Sequence, residues 1–380
     1  MKDSLLLIMT PNMSLAQWDK TGLLSRELDI YQKICAATGL RLIVYSYGRN
    51  EKSFLTGIEG ASVLEMPGWI PKGIPFSVQN LLYHLVSPVL FFRSFKRIKI
   101  AKTNQYAASA FGLLIKVLFN IQLVIRMGYY HSHLKPRGRL WRFMEKIAFS
   151  YCDRILVTSK SAERFIKEEY HIDPNKITTI HNSIDLELFK PDNTPKQVDV
   201  LFVGRLEKVK NIRLLTDFLK KTSCSVLVIG DGSLSGEIEA ITHTKDNIKW
   251  IKRVDNKALP QYYNLARMYI LISEYEGNPK SLLEAMSCGL PCIGTNVPGI
   301  AECISQDYTG LLIGQHVNVL ASAVNRLLSN PLKAQKIGEN AREWIIASCN
   351  MQQNMLQEAE FYKPLLADSP LPENKMLIQN

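Results

Sequence analysis

Short apolar runs alternate with amphipathic helical segments along this chain, stop at a polar linker, and then start again. No other feature constrains the fold as tightly. "SLLLIMT" (4–10), "RLIVYSYG" (41–48), "DRILVTS" (153–159) and "KITTIHN" (176–182) read as strands, with helical patterns over about 24–37 and through "SAERFIKEEYHI". A polar loop carrying Trp18 is expected after the first strand. "FKPDNTPKQVD" (189–199) has the composition of a linker. Beyond it the alternation resumes with "VLFVG" (200–204), a helix over 211–221, "SVLVIGDG", a helix near 234–243, "NIKWIKRV", "MYILIS" (268–273), "LPCIGT" and "GLLIG". Such alternation requires parallel strands joined by crossovers. At 380 residues the chain also exceeds one ordinary core. The predicted class is α/β, with two doubly wound Rossmann-like domains at 1–190 and 191–349. A helix over about 350–363 is expected to pack back onto the first domain, ahead of a disordered tail at 364–380.

Charge separates the two halves. Residues 1–190 hold 26 Lys and Arg against 15 Asp and Glu, while residues 191–380 hold 20 of each, so the whole net charge of +11 lies in the first half. No acid occurs between Glu65 and Glu145, where twelve basic residues fall. A stretch of that kind expects a polyanion: a phospholipid surface, nucleic acid or a phosphorylated substrate. Within it, "NLLYHLVSPVLFFRSFKRIKIAK" (80–102) sets an apolar half, broken at Pro88, before five basic residues, which suits docking on an anionic leaflet. "YAASAFGLLIKVLFNIQLVI" (106–125) is long enough to span a bilayer, but Lys116, Asn120 and Gln122 make a buried helix and strand the better reading. The N-terminus has no signal pattern and the seven cysteines are scattered, which implies a reducing cytoplasm.

The sharpest local feature is "EYEGNPKSLLEAM" (274–286), in which Glu276 and Glu284 flank a Gly-Asn-Pro break just after an apolar run. Asn278 is a suitable N-cap with Pro279 at the first helical position, and Gly289 is placed to end the helix. The amides of Lys280, Ser281 and Leu282 would then face the carboxyl edge of a parallel sheet, where a phosphate is held by N–H groups and the helix dipole. Helical side chains lean toward the N-terminus, so Glu284 would hang beside that phosphate and could accept both hydroxyls of a ribose. Glu276 would face the group beyond the phosphates. A bland alternative is a surface pair between Lys280 and Glu284. Arg205 and Lys210, in "GRLEKVKNIRLL", supply two cations at the end of another parallel strand, ahead of a helix capped by Asn211. They suit a pyrophosphate.

Five segments at these spacings resemble the family-4 retaining glycosyltransferases of GT-B fold over nearly the whole chain: "IHNSIDLELF", "VLFVGRLEKVKNIRLL", "LVIGDGSLSGEI", "EYEGNPKSLLEAMSCGLPCIGTNVPGIAE" and "YTGLLI". The first half is similar to a subset of that family in "MSLAQWDKTGLLSRE" and "RMGYYHS". The resemblance implies that Arg205 and Lys210 bind the diphosphate of a nucleotide-sugar donor, that Glu284 binds its ribose, and that Glu276 acts on the transferred sugar. It places the base near Arg253 and Val254, with Gly22 as the N-terminal donor contact and His131 or His133 as the N-terminal histidine. No metal and no cofactor are expected, since cations replace a divalent ion and the chain lacks Asp-x-Asp. Pro279 stands where many relatives have glycine and removes one amide from the phosphate cradle.

Three functions are therefore in contention. The first is sugar transfer from a UDP- or GDP-sugar to a saccharide or lipid-linked acceptor, by a cytoplasmic protein peripheral to the membrane. The second is epimerisation of a free nucleotide sugar on the same scaffold. The third is nucleic-acid binding through the basic stretch, disfavoured because no binding module is present and the charge is interleaved with apolar runs.

Overall fold

The computed structural model describes residues 3–128 and 139–367. Two parallel sheets dominate it. The first has seven strands, β1 (Ser4–Ile8), β2 (Arg41–Tyr45), β3 (Ala61–Leu64), β4 (Ile98–Thr103), β5 (Gln122–Met127), β6 (Arg154–Val157) and β7 (Ile177–Thr179), in the order β3-β2-β1-β4-β5-β6-β7. The second has six, β8 (Val198–Val203), β9 (Val226–Ile229), β10 (Ile248–Ile251), β11 (Ala266–Leu271), β12 (Cys292–Thr295) and β13 (Leu311–Ile313), in the order β10-β9-β8-β11-β12-β13. Each sheet reverses direction once, beside its first strand, as a doubly wound sheet does. Both faces of such a sheet are covered by helices, which is why β1 and β9 are buried at every residue.

The carboxyl ends of the two sets of strands face one another. Arg253, after β10, donates to the carbonyl of Lys20, after β1. Lys280, after β11, pairs with Glu27 at 3.2 Å. Glu302, after β12, accepts the amides of Lys160 and Ser161, after β6, at 2.8 and 2.6 Å. The chain crosses between the halves twice, and the crossings pair with each other through Ile184 N–H to Cys349 O (2.8 Å) and Met351 N–H to Ile184 O (3.1 Å). After the second crossing, helix Met351–Ala367 lies against helix Leu24–Thr38 and β4. There Glu358 forms a buried ion pair with Lys102.

Three local expectations are corrected. Trp18 lies not in a polar loop but in helix Leu15–Lys20, capped by the Ser14 side chain, with its indole buried. Pro88 does not break its helix, which runs Phe76–Leu90; the carbonyl of His84, deprived of the Pro88 amide, accepts the Ser87 hydroxyl at 3.4 Å. The last helix continues through Pro364 to Ala367, so residues 364–367 are helical, because Tyr362 and Leu365 are buried against the first half.

Candidate active site

Strand β11 delivers its chain end into the cleft. All four of "MYIL" are buried, and the loop that follows turns at Gly277 into helix Lys280–Ser287. That loop sits on Gly299, where a Cβ would come within 2.3 Å of Gly277 O, so only glycine permits the approach. The helix is itself almost wholly buried, with Leu282, Leu283, Ala285 and Met286 inaccessible, and it ends at Gly289 with φ +72.

The start of this helix differs from expectation. Asn278 does not cap it. Its Oδ1 accepts the Asn182 amide at 2.7 Å and its carbonyl accepts Asn182 Nδ2 at 2.7 Å, tying the loop to the first interdomain crossing. Pro279, at ψ 107, occupies the cap position, so Lys280 is the first helical residue. The Leu282 amide is also spent, donating to Pro279 O at 3.1 Å. The first-turn amides of Lys280 and Ser281, which have no acceptor within their helix, remain for a ligand.

Topology brings Lys210 to Glu276. Strands β8 and β11 are neighbours, and the loops leaving them are joined by Glu274 N–H to Val209 O at 2.9 Å. A short turn, Lys208–Lys210, then presents Lys210 ahead of helix Ile212–Lys221, which Asn211 caps through Leu214. The Lys210 ammonium donates to Glu276 Oε1, which also accepts the Ser273 hydroxyl at 2.6 Å; Glu276 is 6% exposed. Arg205 is not drawn into this pair. It is exposed, on the β8 loop that Glu207 fastens to Ser233 at 2.7 Å.

Glu284 lies one turn into the helix and is 5% exposed. Its carboxylate accepts the Tyr263 hydroxyl at 3.0 Å and Asn256 Nδ2 at 3.4 Å. Burial pushes the carboxyl up, against the pull of Arg26 and the Tyr263 hydrogen bond. It lines a cavity of about 360 Å³ between the halves, shared with Gly22, Arg26 and the 255–257 loop. Gly22, at φ +70, lines the same cavity from the N-terminal half. Val254 is half buried against the C-terminal apolar cluster, and Arg253 reaches over the same rim to Lys20. His131 and His133 lie outside the described residues.

Glu27 and Arg26 escaped the sequence reading. Lys280 pairs across the cleft with Glu27 rather than along its helix with Glu284. Burial alone would raise the Glu27 carboxyl, but Lys280, Arg26 and Arg126 outweigh it and hold the group at about 2. Lys102 was visible only as one basic residue among many. Its signal was position: in "IKIAKT" it shares a strand face with Ile98 and Ile100, a charge at an apolar register. Tyr263 carried no such signal.

This arrangement can hold a polyanionic ligand with a diol: cations and amides at the strand ends, and a buried carboxylate one turn away. Comparison with known proteins identifies the family. The family described as glycosyl transferases group 1 matches residues 183–344, and glycosyltransferase family 4 matches residues 35–188. The O-antigen biosynthesis glycosyltransferase WbnH of Escherichia coli is 30% identical over 65% of this chain and 74% of its own. The UDP-Gal:alpha-D-GlcNAc-diphosphoundecaprenol alpha-1,3-galactosyltransferase of Escherichia coli is 23% identical over 74% of this chain and 80% of its own. The aligned part spans about half to two thirds of the first curated relatives that the chain matches. Among solved structures, sucrose-phosphate synthase from Thermosynechococcus elongatus superposes with a TM-score of 0.79 at 21% identity, covering 96% of this chain and 99% of that one. The chain belongs to the group 1, family-4 glycosyltransferases and has their two-domain GT-B fold.

Proposed function

We propose that this protein is a retaining, metal-independent glycosyltransferase. It moves a sugar from a UDP- or GDP-sugar to a saccharide or lipid-linked acceptor at the cytoplasmic face of the membrane, in the assembly of envelope polysaccharide or glycolipid. The observation that carries this is the meeting of Lys210 and Glu276 beside the first turn of helix Lys280–Ser287, with Glu284 in the cleft one turn on. The donor and acceptor named for the galactosyltransferase relative, a UDP-sugar and a lipid diphosphate, support the same classes here.

In this reading the ribose diol donates to Glu284, and the base lies by Arg253 and Val254 with Gly22 opposite. The β-phosphate sits against the amides of Lys280 and Ser281, within reach of Lys210 and Arg205. Glu276 orients the transferred sugar and fixes Lys210. As the bond from the anomeric carbon to the β-phosphate oxygen breaks, negative charge builds on that phosphate. Cations and fixed dipoles there stabilise the transition state more than the ground state. The new bond forms on the same face, and the acceptor's proton passes to the departing phosphate. His131 is the candidate contact from the N-terminal half.

A thermal-shift panel of UDP-, GDP- and ADP-sugars in EDTA tests this. One nucleotide class should stabilise the protein by about 2.7 kcal/mol at a hundredfold its Kd, with EDTA having no effect. No shift from any donor would overturn the proposal. Conversion of the donor without acceptor would make the enzyme an epimerase.

A further inference from the structure

Helix Phe76–Leu90 is built inside out. Apart from Pro88, its buried positions are polar side chains hydrogen-bonded within the N-terminal half. Gln79 donates to Ile74 O (2.8 Å), Asn80 to Asn12 (2.9 Å) and Tyr83 to Leu64 O (2.7 Å), and Ser87 accepts the Tyr45 hydroxyl (3.2 Å). Its outward stripe is apolar: Val89 is 82% exposed, with Val78, Leu81 and Leu85 on the same face, and Phe76 is exposed at the start of the helix. The helix carries no charged residue. Burial normally sorts side chains the other way, so the outer face is made for an apolar medium.

The surface extends beyond one helix. Helices Phe76–Leu90, Ser109–Phe119 and Arg139–Tyr151 are successive neighbours packed on one face of the sheet, and Val117, Leu140 and Phe143 are also exposed. A groove of about 680 Å³ between the first two is lined by apolar side chains alone, among them Leu85, Val89, Phe92, Leu114 and Leu118. Exposed Arg93, Lys96 and Arg97 follow its lining residue Phe92 in the chain, with the Lys96 ammonium 4.6 Å from the centre of the Phe92 ring. No acid lies between Glu65 and Glu145 to neutralise them. Two copies meeting on this face would bring like charges together, which disfavours self-association. An anionic lipid leaflet satisfies both halves of the surface, hydrocarbon for the stripe and phosphate for the cations. Among the described residues no helix is long and apolar enough to cross a membrane, so the element lies in the interface.

We propose that the outward face of helix Phe76–Leu90, with its neighbouring groove and the Arg93–Lys96–Arg97 cluster, inserts flat into an anionic phospholipid leaflet. This deepens the proposed function, resting on its placement of the acceptor at a membrane, and names what holds the enzyme there.

The test is co-sedimentation of the full chain with vesicles of phosphatidylcholine alone or with 30% phosphatidylglycerol, a mixture of about one anionic lipid in three, alongside the donor thermal shift. Wild type should pellet with the anionic vesicles, and part of that binding should survive high salt, which screens charge but not insertion. The pair Leu85→Gln and Val89→Gln should lower partitioning about tenfold or more while leaving the donor shift unchanged. The triple change Arg93→Gln, Lys96→Gln and Arg97→Gln should remove the preference for phosphatidylglycerol. Wild type remaining in the supernatant, or the Gln pair pelleting like wild type, would overturn the inference. So would a wild-type dimer that the Gln pair makes monomeric with no vesicle binding, because the face would then belong to a second copy. Loss of the donor shift in wild type with vesicle binding intact would sink the proposed function and leave the docking surface standing.

Discussion

The two halves of the molecule have the same architecture and opposite surface chemistry. The C-terminal half is charge-balanced, and its polar groups close on one another at the strand ends: Lys210 on Glu276, Tyr263 on Glu284, Glu207 on Ser233. The N-terminal half holds the entire excess of positive charge and turns apolar residues outward along Phe76–Leu90. One half braces its polar groups against one another at its edge of the cleft, the other presents a broad apolar and basic surface. The lesson is that the C-terminal strand-end cluster is written in contiguous motifs, whereas the exposed apolar and basic surface of the N-terminal half is spread over elements far apart in sequence.

Breaking the donor side should give the largest effect. Glu276→Ala frees Lys210 and removes the group proposed to orient the sugar, so turnover should fall on the order of a hundredfold or more. The donor-induced thermal shift should largely survive, because the ribose contact is intact. Steady-state kinetics beside calorimetry separates the two readouts; unchanged turnover would contradict the role. Glu284→Ala should do the reverse, removing most of the donor stabilisation and raising the donor KM, since the buried carboxylate proposed to accept the ribose hydroxyls is lost.

The sharpest test of how the halves are joined is smaller. The Glu27 carboxyl sits at about 2 in the folded protein against an ordinary 4.5, because Lys280, Arg26 and Arg126 outweigh its burial. A depressed carboxyl stabilises the fold above its unfolded value and loses that contribution as pH falls from 4.5 toward 2. Urea midpoints measured over this range should therefore drop with acid, and Glu27→Gln should be less stable at neutral pH with a shallower acid limb. A variant whose midpoint tracks wild type at every pH would show that the pair contributes nothing to closure.

How much of this was legible depended on range. Strands such as β1 and β9 announced themselves as unbroken apolar runs, and Lys210, Glu276 and Glu284 stood out because they border strand ends whose position the periodicity fixes. Asn278 misled because Asn-Pro before a helical run is ordinarily a cap; its true partner, Asn182, is 96 residues away and visible only once the halves are assembled. The Glu27–Lys280 pair was hidden for the same reason. Helix Phe76–Leu90 shows the other limit. Its periodicity separates two faces, but nothing in a period says which face is inside.

The central claim is that the C-terminal strand ends hold a nucleotide sugar by its diphosphate and ribose. A crystal structure of the protein with the donor selected by thermal shift tests it most directly. The ribose hydroxyls should lie within hydrogen-bond distance of Glu284, with the β-phosphate against Lys210, Arg205 and the amides of Lys280 and Ser281. A nucleotide bound on the N-terminal half alone, or a diphosphate remote from Lys210 and Glu276, would contradict it.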